Sequence, residues 1–188
     1  MSPSNMSEVK DLVQLAVWIF GILSVVIGLV KARQQRIAEL KWKRANIAKE
    51  LLDDIHKDVR AASAVRMLDW CTDEDPQKYE ASGHLESISY PEVLAALAKN
   101  GRGEKKSDKD SYIRDCFDWF FYRVDRIEHY IRRELLDFQD VKAVFKVYAD
   151  EIDRHRDVYE GFFCFHQYEL ARNFFLRDFT NGAEKSPA

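Results

Sequence analysis

With 188 residues, the chain is long enough for one compact domain and an accessory segment. Its net charge of −3, from both signs spread along its length, lacks the basic excess of a general nucleic-acid binder. Gly (7) and Pro (4) are scarce while Leu, Ala, Glu, Lys and Arg are plentiful, a balance that favours helices over strands. The three cysteines, Cys71, Cys116 and Cys164, lie far apart without a Cys-x-x-Cys pair. That argues against a disulfide framework or zinc knuckle and for free thiols in a reducing cytosol.

Residues 1–11 read as a short extracytoplasmic tail. Residues 12–30 (LVQLAVWIFGILSVVIGLV) are apolar except for Gln14 and the small residues. As a helix they would rise about 28 Å, close to the ~30 Å hydrocarbon core of a bilayer. The flank after the run carries Lys31, Arg33, Arg36, Lys41, Lys43 and Arg44, whereas the flank before it has Lys10 against Glu8 and Asp11. No small-residue cleavage site follows, which argues against a signal peptide. A single-pass membrane helix with the C-terminal side cytoplasmic is the expectation, in a bacterial inner membrane. Lys31, Arg33, Arg36 and Trp42 are the expected membrane-interface residues. Gly21, Ser24 and Gly28, spaced by three and four, form a candidate oligomerisation seam, the alternative being glycines ordinary in membrane helices.

From residue 31 to 75 the chain is expected to be one long juxtamembrane helix. Ile37, Leu40, Ile47, Leu51, Ile55, Val59, Ala62 and Val65 recur at mostly helical steps, without a clean heptad. Thr72-Asp-Glu-Asp-Pro76 should end it. Residues 77–88 read as loop. Ser89 and Glu92 form a predicted capping box for a short helix that stops at Asn100-Gly101. Residues 102–110 (RGEKKSDKD) read as a charged linker. A long helix over 111–136 buries Ile113, Phe117, Phe120, Val124, Ile127 and Ile131. Asp137 caps the next, whose buried stripe is Val141, Val144, Phe145, Tyr148 and Ile152. The aromatic-rich segment 158–179 is expected to be helical with a break near Gly161, and 180–188 a disordered tail. The fold class is all-α: a transmembrane helix running into a cytoplasmic antiparallel helical bundle over 76–179.

No phosphate loop, dinucleotide fingerprint, zincin or nucleophile-elbow motif is present. Asp53 and His56 sit one turn apart, and Asp125, Glu128 and His129 make a similar group. Together they could ligate a metal, against the alternative of solvated helix faces, so no metal or cofactor is assigned. Cys164 and His166, two residues apart, would point in different directions on a helix. Arg123, Arg126 and Arg132, interleaved with Trp119 and Tyr122, could hold an anionic ligand by ion pairing and stacking. The neighbouring acids Asp115, Asp118, Asp125, Glu128 and Glu134 could instead neutralise them. No catalytic residues are assigned.

The stretch 113–141 (IRDCFDWFFYRVDRIEHYIRRELLDFQDV), with 88–97 (ISYPEVLAAL), is similar to small bacterial proteins of unknown function in which a membrane helix precedes a helical domain. By layout, the chain also resembles membrane effectors of antiphage (antiviral) defence. Some of those read a cyclic nucleotide and perturb the membrane. The leading expectation is a non-enzymatic, membrane-tethered interaction or sensory protein, homo-oligomeric, with a protein partner or small anionic ligand. The alternatives are a nucleotide-gated defence effector and a metal-dependent enzyme.

Overall fold

The computed structural model describes residues 3–69, 77–81, 84–99 and 106–179. Two compact units are distinguished, Met1–Lys43 and Arg44–Ala188. The elements in order are α1 (Pro3–Lys57), α2 (Val59–Asp69), β1 (Gln77–Ala81), β2 (His84–Ile88), α3 (Tyr90–Ala98), α4 (Asp108–Arg132), α5 (Phe138–Arg154), α6 (Arg156–His166) and α7 (Glu169–Phe175). Apart from the β1–β2 hairpin, the described elements are helices, in agreement with the all-α class.

In the first unit, no helix among the described residues is long and apolar enough to cross a membrane. Much of the apolar run falls outside that set: the side chains of Leu12, Val13, Leu15, Ala16, Val17, Ile19 and Ile22 are not described. The membrane-spanning expectation therefore rests on the sequence. Cys71, Pro76, Gly101 and the tail 180–188 also lie outside the described residues.

Several boundaries depart from the sequence reading, each for a local reason. The helix expected over 31–75 is interrupted at Asp58. The Asp58 Oδ1 accepts the Ala61 N–H at 2.9 Å, so the side chain caps a new helix, α2. Residues 77–88, read as loop, form a hairpin that pairs Gln77 with Ile88 and Ala81 with His84. The charged 102–110 segment is not all linker. Ser107 is the N-cap of α4 and its Oγ accepts the Asp110 N–H, while Asp110 accepts the Ser107 N–H at 2.8 Å. The final break falls at Gln167, in the left-handed region (φ 61), rather than at Gly161, which lies inside α6.

Other signals hold. The Glu92 carboxylate accepts the Ser89 N–H at 2.8 Å. That bond, ahead of the nearby Lys109 ammonium, holds Glu92 below the usual carboxylate range despite partial burial. Asp137 caps α5 by accepting the Gln139 N–H. Ile113, Phe117, Phe120, Val124 and Ile127 of α4 are all fully buried. On α5 the stripe is Val141, Phe145, Ala149 and Ile152, and Val144 is a correction: it stands at the edge of that face, 40% exposed.

The core of the second unit is aromatic. Phe121, fully buried, meets Phe117 and Phe120 on its own helix, Tyr159, Phe162 and Phe163 of α6, Tyr168, and Phe175 of α7. Centroid separations run from 4.7 to 6.3 Å, mostly tilted or edge-on, the geometry that ring quadrupoles favour. One ring thus ties α4 to both C-terminal helices. Phe121→Ala is expected to destabilise the second unit by about 3–5 kcal/mol. Val144→Ser should stay within roughly 0.5 kcal/mol of wild type, as for a surface site. Urea unfolding of the two full-length variants checks the contrast.

Candidate functional site

α4 takes four charged side chains out of water together with its aromatic face: Asp110, Arg114, Arg123 and Glu128. A buried charge is tolerated only when it is paired and hydrogen-bonded, and each of these finds its partner on a different element. Asp110 meets Lys99, at the end of α3, at 2.8 Å. Glu128 accepts both Nε (3.1 Å) and Nη2 (2.8 Å) of Arg177, just after α7, and Nε of Arg132 at 3.1 Å. Arg123 donates to the Asp54 carbonyl at 3.2 Å and pairs with the Asp58 carboxylate at 3.0 Å.

The candidate arginine–aromatic cluster divides under these pairings. Arg123 is buried beneath Trp119, its guanidinium 5.1 Å from the ring, and it donates to the Trp119 carbonyl at 3.1 Å. Arg126 pairs with Asp54 at 2.8 Å across a half-exposed surface. Arg132 belongs to the Glu128 cluster one to two turns further along. The structure therefore brings Trp119, Tyr122, Arg123 and Arg126 onto one face, with Asp54 and Asp58 opposite the guanidiniums, and leaves Arg132 apart. Trp119 (40% exposed) and Tyr122 (51% exposed) meet edge-on at 6.3 Å, and both remain open to solvent.

The carboxylate–histidine residues do not converge. Asp53 pairs with Lys57 at 3.5 Å, and His56 and His129 are exposed. Asp125 accepts the Ala171 N–H in the first turn of α7. Burial raises the Asp125 pKa, against that hydrogen bond and the nearby Arg132 charge. Among the described residues, no group of three or more His, Cys, Asp or Glu side chains is arranged to hold a metal ion. Cys164 is exposed, while Cys116 is buried and its thiol is pushed up to about 12 by that burial.

His166 takes part in a polar network that the sequence reading did not assemble. Its Nδ1 lies 3.2 Å from the Asp118 carboxylate and its Nε2 lies 3.0 Å from Arg114 Nη2. The Tyr168 hydroxyl donates to the same Asp118 Oδ1 at 2.6 Å, and proximity to that carboxylate adds to burial in raising the tyrosine pKa. Arg114 also donates to the Ala96 and Leu97 carbonyls at the end of α3, at 3.0 and 3.2 Å. The signal available in the sequence was the four-residue spacing of Arg114 and Asp118 on one helix face; the partner, a histidine 52 residues away from Arg114, was not.

In the first unit, the interface candidates Lys31, Arg33, Arg36 and Trp42 are all exposed, Trp42 by 70%. The seam residues Gly21, Ser24 and Gly28 are exposed too. A Cβ added at either glycine would meet nothing within 4 Å, and the Ser24 hydroxyl donates to the Phe20 carbonyl at 2.8 Å.

No protein-family model matches the chain, and neither the curated proteins nor the solved structures contain a significant match. The reading of function therefore rests on the chain's own residues. The unequal burial of the two neighbouring arginines gives a direct test of their roles. Arg123→Met, which removes the cation from Asp58 and leaves that carboxylate only the Ala61 N–H, is expected to cost about 1.5–3 kcal/mol, the range for hydrogen bonds to charged groups. Arg126→Met, at an exposed pair, should cost roughly 0–1 kcal/mol. Denaturant unfolding of both variants provides the comparison.

Proposed function

We propose that this chain is a membrane-tethered, non-catalytic interaction protein. In this reading residues 12–30 cross the bilayer, residues 44–179 lie on the cytoplasmic side, and α4 offers its Trp119–Tyr122 face to a protein partner. The observation that carries the partner reading is the contrast on α4. The buried charges are engaged internally, whereas two large aromatic side chains beside them stay in water. Trp, Tyr and Arg are the residues that dominate binding hot spots, because large rigid rings bury area at small entropic cost. Arg123, fixed from below by Asp54 and Asp58, holds Trp119 in place before any partner arrives.

The membrane reading is supported by the apolar length of residues 12–30 and by the one-sided basic collar. Each of Lys31, Arg33 and Arg36 would contribute about 1 kcal/mol near an anionic surface, with the exposed Trp42 suited to the interfacial zone. Self-association through Gly21, Ser24 and Gly28 belongs to the same proposal, since those positions leave room for a close helix neighbour. The nucleotide-effector alternative would need Arg123 and Arg126 to exchange Asp58 and Asp54 for phosphate. The metal-enzyme alternative would need Asp53 and His56 to move towards Asp125, Glu128 and His129.

Two measurements test the proposal. Full-length protein should stay in the membrane pellet after alkaline carbonate extraction, and the charge pair Leu23→Glu with Ile27→Glu should release it into the soluble fraction. Wild-type protein found in the carbonate supernatant would overturn the anchor. A photo-crosslinking residue at Tyr122 should then give one discrete adduct that Trp119→Ala abolishes, while the same probe at exposed Ser111 gives none. Saturable binding of a cyclic nucleotide, lost in Arg126→Met, would favour the effector reading instead.

A further inference from the structure

The ring of His166 is wedged into the second unit where α6 ends. It stacks on Phe162 of its own helix, with centroids 4.3 Å apart, and lies nearly parallel to Tyr168 at 6.0 Å. Both nitrogens face specific groups of α4, and the chemistry of those groups fixes the ring's state. A guanidinium has only N–H donors, so Nε2, 3.0 Å from Arg114 Nη2, must carry a lone pair and accept. The single proton of the neutral ring is then on Nδ1, which lies 3.2 Å from the Asp118 carboxylate. A doubly protonated ring would place an Nε2–H against an Arg114 N–H, donor against donor and cation against cation.

Arg114 is not a bystander. It is buried, lies over the Phe162 ring at 4.9 Å, and donates to the last carbonyls of α3 at Ala96 and Leu97. Those carbonyls lie in the last turn of α3, where the intrahelical ladder runs out: Ala96 receives the Lys99 N–H at 3.4 Å, and Arg114 adds an outside donor to it and to Leu97. One guanidinium therefore joins α3, α4 and α6, and the imidazole is one of the groups that holds it in place.

We propose that His166 is a proton-operated latch: its neutral ring accepts Arg114 and keeps the C-terminal end of α3 docked, and protonation expels the guanidinium and releases that end. The charged and titratable groups around the ring act as follows. From α4, Arg114 opposes protonation and Asp118 favours it. From the segment before α4, Lys106 opposes it. Tyr168, preceding α7, reaches the ring through Asp118 as a hydroxyl donor. From α3 the facing groups are the two carbonyls, with Lys99 turned to Asp110. The balance agrees with the geometry: burial first, then Arg114 and Lys106, depress the His166 pKa below its usual 6.5, and Asp118 only partly offsets them.

A depressed pKa means that the folded state binds this proton less well than the unfolded chain does. The stabilisation from the neutral ring is complete above about pH 6.5 and is lost as pH falls through the depressed folded value. This inference does not depend on the membrane or partner reading.

Hydrogen exchange of the full-length protein tests it, with protons as the only ligand. Amides at the end of α3 (Leu97, Ala98 and Lys99) are followed in wild type and in His166→Gln, which keeps a neutral acceptor but cannot titrate. At neutral pH the two should match. Below about pH 6 the wild type should exchange faster than the variant, about tenfold for each unit of pKa depression. Asp118→Asn, which removes the carboxylate that favours protonation, should move the wild-type transition to lower pH. A wild-type to His166→Gln ratio independent of pH would overturn the latch, as would a transition in Asp118→Asn that stays put or moves up. Nitrogen NMR supplies a further criterion: a proton found on Nε2 of the neutral ring removes the acceptor on which the mechanism depends.

Discussion

α4 must bury charge in order to bury its aromatic face, and the second unit is organised around that constraint. A helix of 25 residues with Phe117, Phe120 and Phe121 on its inner side also carries Asp110, Arg114, Arg123 and Glu128 into low-dielectric surroundings. Each would be unaffordably exposed to desolvation if left alone, because a buried ion without a partner is worth several kcal/mol of instability. The matching groups come from α3, from α6, from the α1–α2 junction and from the segment after α7. Each element around α4 must therefore bring a matching polar group, and the aromatic contacts of Phe121 fix where the C-terminal helices lie.

The same constraint separates structural from available surface. Arg123 and Arg126 are three residues apart and chemically identical, yet one is enclosed by Trp119, Asp54 and Asp58 while the other meets Asp54 at a half-exposed pair. Glu128 has a side chain only 2% exposed, and Arg177 and Arg132 are committed to it. What α4 has left for an outside molecule is therefore aromatic more than cationic, which is why the proposed function turns on Trp119 and Tyr122 rather than on phosphate recognition.

The junctions between helices carry much of the polar chemistry. Asp58 interrupts what would be a continuous helix, caps α2 and receives Arg123 with the same carboxylate. Gln167, with its positive φ, turns the chain after His166 so that Tyr168 can reach Asp118. In both places a short irregular step lets one side chain serve two elements, and the His166 latch is built at such a step.

Local chemistry in the sequence determined a great deal about this protein. Helical periodicity located the inner face of α4, the Ser89–Glu92 spacing and the capping Asp137 located two helix starts, and the apolar run at 12–30 with its basic flank supplied the membrane expectation. These signals act over three to seven residues, or within one contiguous stretch, so they are legible without a fold. The break at Asp58 and the cap at Ser107 were equally local, but they competed with a helical pattern and with a charged linker of similar composition. Tertiary structure alone decided which polar groups meet: Arg123 donates to the Asp54 carbonyl across a separation of 69 residues, and Arg114 donates to the His166 ring across 52. A sequence rich in both signs offers many electrostatically equivalent pairings. Only the packing of the aromatic core, by fixing where each helix lies, makes one of them real.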